Sequence, residues 1–233
     1  MLVHGAGDYA GAWALVAPQL ARQYRVLIPD LPGHGESEPA SGPLKLGQVL
    51  QGLEGLLEQR GGKEPVTLVG NSLGGWVALL YAQRHPDRVA RVVSVCGGGP
   101  RLELKVSLMP ANREEARRLM RALLDSSTST PPDYVLDDLV RTTRTGAMGR
   151  LMAESADMEQ YFLDGHFHEI RTPVDLLWGA SDQVVPVAVA RRMESELPAA
   201  RLTVIPRCGH VPQRECSGAF ETELNRILSS PPP

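Results

Sequence analysis

Ser72 stands in the run LVGNSLGGW, Leu68 to Trp76, where an apolar stretch stops at a glycine and an alanine-rich helical pattern begins. Gly70 and Gly74 flank it, two residues before and two after. A sharp strand-to-helix turn presses the strand end against the first helical turn and leaves no room for a β-carbon at either place. The serine is then held in a strained backbone with its hydroxyl lifted off the sheet. The same glycines would suit a tight phosphate-cradling turn, but the chain has no GxGxxG and no Lys-Ser/Thr pair follows them. A serine hydroxyl alone is a poor nucleophile, so the chemistry requires a base, an orienter and oxyanion donors from elsewhere in the chain.

Six histidines could supply the base: His4, His34, His85, His166, His168 and His210. His85 precedes Pro86 at a helix end, where a cation suits the helix dipole. His34 lies among turn residues in DLPGHGES, and His4 in VHGAG reads as a packing residue bonded within its own loop. His210, in IPRCGHVPQ, directly follows the last predicted strand, on the same sheet edge as Ser72. It is assigned as the base, against the alternative of a surface loop histidine. An imidazole in that role needs a carboxylate to fix its tautomer and stabilise the imidazolium. LLWGASDQVVP offers Asp182 on the loop after the fifth predicted strand, whereas Asp175 opens that strand and lies on the wrong edge. After the fourth strand no carboxylate comes nearer than Glu103. Asp182 could instead cap the helix around Val187, but its position favours the catalytic role. Two amides complete the set: Leu73 N–H at the start of the helix after Ser72, and Ala6 N–H among the small residues after the first strand. The HxH pair His166 and His168 lacks nearby cysteine or clustered carboxylates, so neither a metal nor an organic cofactor is expected.

These residues need a frame. Strands are predicted at 1–3, 25–29, 66–70, 92–96, 174–178 and 201–205, with helical patterns between them such as GAWALVAPQLARQ, LGQVLQGLEGLLEQR, GGWVALLYAQRH and PVAVARRMESEL. Buried runs of Val, Leu and Ile separated by helices imply a parallel sheet covered on both faces, with its site at the carboxyl ends of the strands. From 101 to 172 no strand is predicted. Asn112 with Glu115 makes a capping-box pattern, Thr130 before Pro131-Pro132 opens another helix, and MGRLMAESADMEQYFL is a third apolar pattern. An all-helical insertion over the carboxyl edge reads as a lid, and five of the seven methionines fall in it. The terminal SSPPP cannot pack.

Composition bounds the rest. The 233 residues suffice for one core and at most a small second lobe, and 42% hydrophobic with 22% charged residues is ordinary for a soluble globular chain. A net charge of −3 with scattered arginines argues against nucleic acid or an anionic membrane as partner. Cys96, Cys208 and Cys216 show no CxxC spacing, so three separate thiols in a reducing cytoplasm are expected. No signal peptide is read at the N-terminus, and no run is long and apolar enough to span a membrane.

The order Ser72, Asp182, His210 is that of the α/β-hydrolases. VHGAG, PDLPGHGES, VGNSLGG, WGASDQVVP and CGHVPQ resemble, in sequence, that family's oxyanion loop, turn, nucleophile elbow, acid loop and histidine loop. The resemblance covers essentially the whole chain. It implies an α/β-hydrolase fold with a core of residues 1–100 and 173–233 and a lid of 101–172. Serine at the elbow implies acyl transfer, normally to water; family members with aspartate there open epoxides or displace halide, and those with cysteine cleave dienelactones. GNSLGG followed by GGGP is similar to the carbon–carbon bond hydrolases of aromatic degradation, although many of those carry an aromatic residue soon after the histidine, where this chain has Val211-Pro212. The family usually has two further strands before the one ending in His-Gly; here Met1 opens that strand, and the first two are expected to be absent from the sheet, either because the start is trimmed or misassigned or because the sheet lacks one edge.

The expectation is therefore a serine hydrolase acting on a carboxylic ester or related acyl compound, apolar or aromatic, as a monomer or homodimer. The alternatives are a carbon–carbon bond hydrolase or thioesterase with the same triad, or a non-catalytic ligand-binding protein of the same fold.

Overall fold

Five short runs rich in β-branched residues and leucine form the sheet: β1 (Leu2–Val3), β2 (Val66–Asn71), β3 (Val89–Val95), β4 (Val174–Gly179) and β5 (Ala200–Ile205). The computed structural model describes residues 1–233. All neighbours pair parallel, and the spatial order follows the chain, β1-β2-β3-β4-β5. β1 lies at one edge of the sheet and ends at Val3, just before His4. Parallel pairing forces each connection to cross back over a face, which sends every strand's carboxyl end to the same edge.

Successive strand residues point to opposite faces, and the two cores divide accordingly. Leu68, Val92 and Leu176 join the larger cluster, with the helices α2 (Leu46–Arg60), α3 (Leu73–Arg84) and α8 (Val187–Glu196). Their neighbours Val69, Val93 and Leu177 join the smaller one, with Trp13 and the C-terminal helix α10 (Ser217–Ser229). Residues 73 to 82 of α3 are all buried, which a helix apolar on every side requires.

Two expectations need correction. The stretch 25–29 is not a strand: Leu2 N–H donates to Leu27 O at 2.8 Å, and there the pairing ends. β1 has only two residues, so it offers its outer neighbour almost no ladder. The continuous helix expected around residues 11–23 is instead a 3₁₀ turn (Ala10–Trp13) followed by the four-residue α1 (Ala17–Leu20), with Pro18 in its first turn. Proline tolerates a helix start and not a helix interior.

The segment 101–172 contains helices and no strand: α4 (Arg113–Leu123), α5 (Asp133–Thr145), α6 (Ala147–Ala153), α7 (Ser155–Met158) and short 3₁₀ turns. Asn112 caps α4 as its sequence predicts, its side chain accepting from Glu115 N–H at 3.0 Å. The segment reaches the carboxyl edge at several strands. A Cβ on Gly7, after β1, would meet Met148 at 3.2 Å, and one on Gly99, after β3, would meet Leu163 and Phe167 at 3.4 Å. Trp76 in α3 donates its indole N–H to Tyr161 O at 2.9 Å and stacks on Phe162. The Arg150 guanidinium donates to the carbonyls of Gly33, Pro39, Ser41 and Gly42, tying α6 to the turn-rich loop before α2. No helix is long and apolar enough to cross a membrane.

Candidate active site

Ser72 sits at the junction of β2 and α3 with φ 53° and ψ −115°, where side chains are rarely tolerated. Its backbone is held on both sides: Ser72 N–H donates to Val95 O at 3.0 Å, and its carbonyl accepts from Trp76 N–H at 3.1 Å and Gly98 N–H at 3.0 Å. The flanking glycines are steric requirements. A Cβ on Gly70 would lie 2.2 Å from Gly74 O, and one on Gly74 would lie 2.3 Å from Val3 O. Strain of order 1–3 kcal/mol persists at such a residue only where its surroundings over-determine it.

Leu73 N–H is the first amide of α3, one of the four a helix start leaves without an internal partner. The loop after β1 closes on the serine at a glycine: a Cβ on Gly5 would be 3.3 Å from Ser72 Cβ. Ala6 follows at the first corner of a turn in which Asp8 N–H donates to Gly5 O at 3.3 Å. The two amides expected to face an oxyanion thus belong to segments that meet at Ser72. His4, by contrast, is consumed structurally. Its Nε2 accepts from Leu31 N–H at 2.9 Å, so Nδ1 carries the proton and donates to Gly5 O at 2.8 Å.

His210 and Asp182 are buried and in contact, Nδ1 donating to Asp182 Oδ2 at 2.8 Å. Since a carboxylate can only accept, this bond fixes the proton on Nδ1 and leaves Nε2 as the basic nitrogen. Asp182 Oδ1 accepts from Val184 N–H and Val185 N–H, each at 2.9 Å, so its loop orients the carboxylate before the histidine arrives. Asp175, the rejected acid, lies deep in β4 and faces Arg201 at 2.7 Å and Arg91 at 3.1 Å, remote from the carboxyl edge.

Residues that sequence reasoning passed over join the serine to the histidine. Asn71 donates from Nδ2 to His210 O at 3.0 Å and to Val95 O at 3.1 Å, and its Oδ1 accepts from Gln213 Nε2 at 3.1 Å. Asn71 and Gln213 are both buried, and one is the residue before Ser72. The only sequence signal was a polar residue closing an apolar strand; its partner is 142 positions away. Cys208 and Cys216 are bonded to each other, with their Cα atoms 5.9 Å apart, which overturns the expectation of three separate thiols. The histidine loop doubles back into α9 (Pro212–Glu215) and brings together two cysteines whose spacing matches no motif. The inference of a reducing cytoplasm rested on separate thiols and loses that basis.

Cys96 remains free and fully buried, and its sulfur lies with Asp182 and His210 in a group whose ligand atoms are all within 4.8 Å. That group is ill suited to a metal. Burial, reinforced by the charge of Asp182, pushes the Cys96 thiol well above its ordinary range, so it stays protonated. His210 Nδ1 already donates its proton to Asp182. His166 lies elsewhere, its Nδ1 on Glu169 at 2.8 Å.

Residues 1–215 match the family model described as alpha/beta hydrolase fold. The chain belongs to the α/β hydrolase fold family. It is 31% identical to the 2-hydroxy-6-oxononadienedioate/2-hydroxy-6-oxononatrienedioate hydrolase of Cupriavidus pinatubonensis, across 99% of this chain and 86% of that one. Among solved structures it is similar to the meta-cleavage product hydrolase of Pseudomonas fluorescens IP01, with TM-score 0.79 and 24% identity over 97% of this chain and 88% of that one. It is also similar to a thermophilic esterase from Thermogutta terrifontis, with TM-score 0.78 and 23% identity over 97% and 88%. The likenesses to solved structures carry the fold.

Proposed function

We propose that this α/β hydrolase is a serine hydrolase that cleaves a carboxylic ester or related acyl compound through an acyl-enzyme. The observation that carries the reading is the His210–Asp182 pair, tied through Asn71 to the strained serine that precedes α3. Nε2 of His210 takes the proton of Ser72 Oγ as the oxygen attacks the substrate carbonyl carbon, and the carbonyl oxygen takes the negative charge. Leu73 N–H and Ala6 N–H stabilise that charge. His210 then returns the proton to the leaving group, and the carbonyl re-forms as the acyl-enzyme. Water attacks it, giving its proton to Nε2, and the acid leaves Ser72 with its hydroxyl restored. No step calls for a metal or an organic cofactor. The methionines of 101–172, Met148 over Gly7 among them, favour an apolar or aromatic acyl group.

A second reading has specific support. The Cupriavidus relative is named as a hydrolase of a 2-hydroxy-6-oxo dienedioate, a carbon–carbon bond substrate, and the same serine chemistry can act on a ketone whose leaving carbon is activated. Against it stands Val211 after the histidine, where many such hydrolases are aromatic.

One experiment addresses both. The enzyme is labelled with a small fluorophosphonate, the adduct mapped to Ser72, and turnover compared on p-nitrophenyl esters of graded length and on a 2-hydroxy-6-oxo dienoate. Ser72→Ala and His210→Ala should each lower kcat on the order of 10⁴-fold or more with little change in fold. Retention of more than about a tenth of wild-type turnover in Ser72→Ala removes the mechanism. Turnover of the dienoate far above that of every ester selects the second reading.

A further inference from the structure

The end of α4 lies between the acid loop and the histidine loop and bonds to both. A helix leaves its last carbonyls without internal partners. Here Leu123 O accepts from His210 N–H at 2.6 Å, and Ala122 O accepts from Gln183 N–H at 3.1 Å. Gly209 fits there because it lacks a side chain: a Cβ would lie 2.2 Å from Leu123 O. Beyond the helix, Asp125 accepts from the Ser181 hydroxyl, beside Asp182. Glu215 closes the assembly from below. Its Oε2 accepts from Gly209 N–H at 2.6 Å, and its Oε1 accepts from Asp125 N–H at 2.7 Å and from the Thr128 hydroxyl at 2.6 Å.

We propose that Glu215 is a positioning residue for His210, holding the histidine loop and the end of α4 in one unit so that the imidazole meets Asp182. The proposal rests on the serine-hydrolase reading above. Glu215 reaches neither substrate nor the reacting atoms; it acts through the main chain of Gly209, one residue before His210. An ionised carboxylate suits the place because three donors converge on its two oxygens, each a charge-assisted bond. Ser181 and Asp125 form the weaker second tie, from the same helix end to the acid loop.

The consequence is a rate effect without a binding effect. Displacing a catalytic group by about 1 Å can cost roughly 10²-fold in rate. The test compares Glu215→Ala, Glu215→Gln and Ser181→Ala with wild type, using p-nitrophenyl acetate turnover and the low-field proton resonance of His210 Nδ1–H. Glu215→Ala should lower kcat by roughly 10- to 100-fold with KM changed by no more than about twofold, and should broaden or abolish the resonance. Glu215→Gln keeps one acceptor oxygen but loses the charge and sets an amide NH2 against the remaining donors, so it should recover only part of the loss and stay measurably below wild type. Ser181→Ala should give a smaller loss of the same kind, and with Glu215→Gln it decides the matter if Glu215→Ala does not fold. Wild-type kcat and an intact resonance in these variants, alongside a dead Ser72→Ala control, would overturn the proposal alone. An active Ser72→Ala would instead sink the serine-hydrolase reading, and the resonance would still report whether Glu215 holds His210 on Asp182.

Discussion

Two aspartates in one strand-and-loop unit are separated along the direction of β4 and have different partners. Asp182 lies past the carboxyl end, where amides and His210 converge on it; Asp175 lies at the other end, among arginines. Their asparagine variants should therefore fail differently. Asp182→Asn places an amide against His210 Nδ1 and should cut kcat strongly, though less than loss of the serine, while the fold is kept. Asp175→Asn leaves the buried Arg91 without its counter-charge, and breaking such a pair costs about 3–5 kcal/mol in stability. Steady-state rates and melting curves of both variants check this; a fully active Asp182→Asn with an inactive but stable Asp175→Asn would reverse the assignment. His34 offers a pH test. It is buried with Nδ1 donating to Pro32 O at 3.0 Å, beside His4 and within the field of Arg150 and Asp30. Burial lowers its pKa to about 4. An unfolded histidine titrates near 6.5, so below that pH the unfolded chain binds the extra proton first. Stability should be full above pH 6.5 and fall between 6.5 and 4, by about 3 kcal/mol from this group if the shift is as large as that. Melting temperature against pH for wild type and His34→Gln should show a shallower slope in the variant. The places of Ser72, Asp182 and His210 at the carboxyl edge could be read from the sequence because each follows a strand and is marked by local glycines. Asn71–Gln213 and Glu215 could not, because their meaning lies in partners that only the fold brings near.

Elements were legible in proportion to how much of their stability is local or periodic. The helix Leu46–Arg60 keeps an apolar stripe over its full length and forms as predicted, and Asn112 announces α4 through its own cap. The failures, 11–23 and 25–29, are segments whose state is set by a single proline or by a neighbour too short to pair with. The loop from Cys208 to Cys216 is the third case. Its cross-link was hidden in the spacing, yet it bounds the element that carries His210, with α9 packed inside it. Closing a loop across a sequence separation of 8 should restrict the unfolded chain by about 2–3 kcal/mol. Reduction, or Cys208→Ser, should lower the melting temperature by roughly 5–10 °C for a chain of this size. Calorimetry with and without reductant measures it, and an unchanged Tm in both would mean the bond is not formed in solution.

At the scale of the molecule, the segment 101–172 touches the loop after β1 and also bonds into the loops that carry Asp182 and His210. Its later helices present Met148 to the loop after β1, whereas its first helix ends inside the acid and histidine loops. A simple cap would be removable: replacing it with a Gly-Ser linker would alter which acyl chains are accepted and leave the nucleophile as reactive as before. The bonds from Ala122, Leu123 and Asp125 argue otherwise. Deleting the whole of 101–172 should lower the labelling rate of Ser72 by a small fluorophosphonate, which needs no lid for binding, by roughly 10-fold or more, because the histidine loses its backbone partner. Met148→Ala should do the opposite, leaving that labelling rate alone while shifting the preference among p-nitrophenyl esters of graded length, since it trims the apolar side chain that faces Gly7 and touches none of the hydrogen bonds around His210. The two variants measured side by side separate cover from frame. Equal labelling rates in the deletion variant and wild type would assign the segment to cover alone, and an unchanged chain-length profile in Met148→Ala would take that residue out of the binding wall.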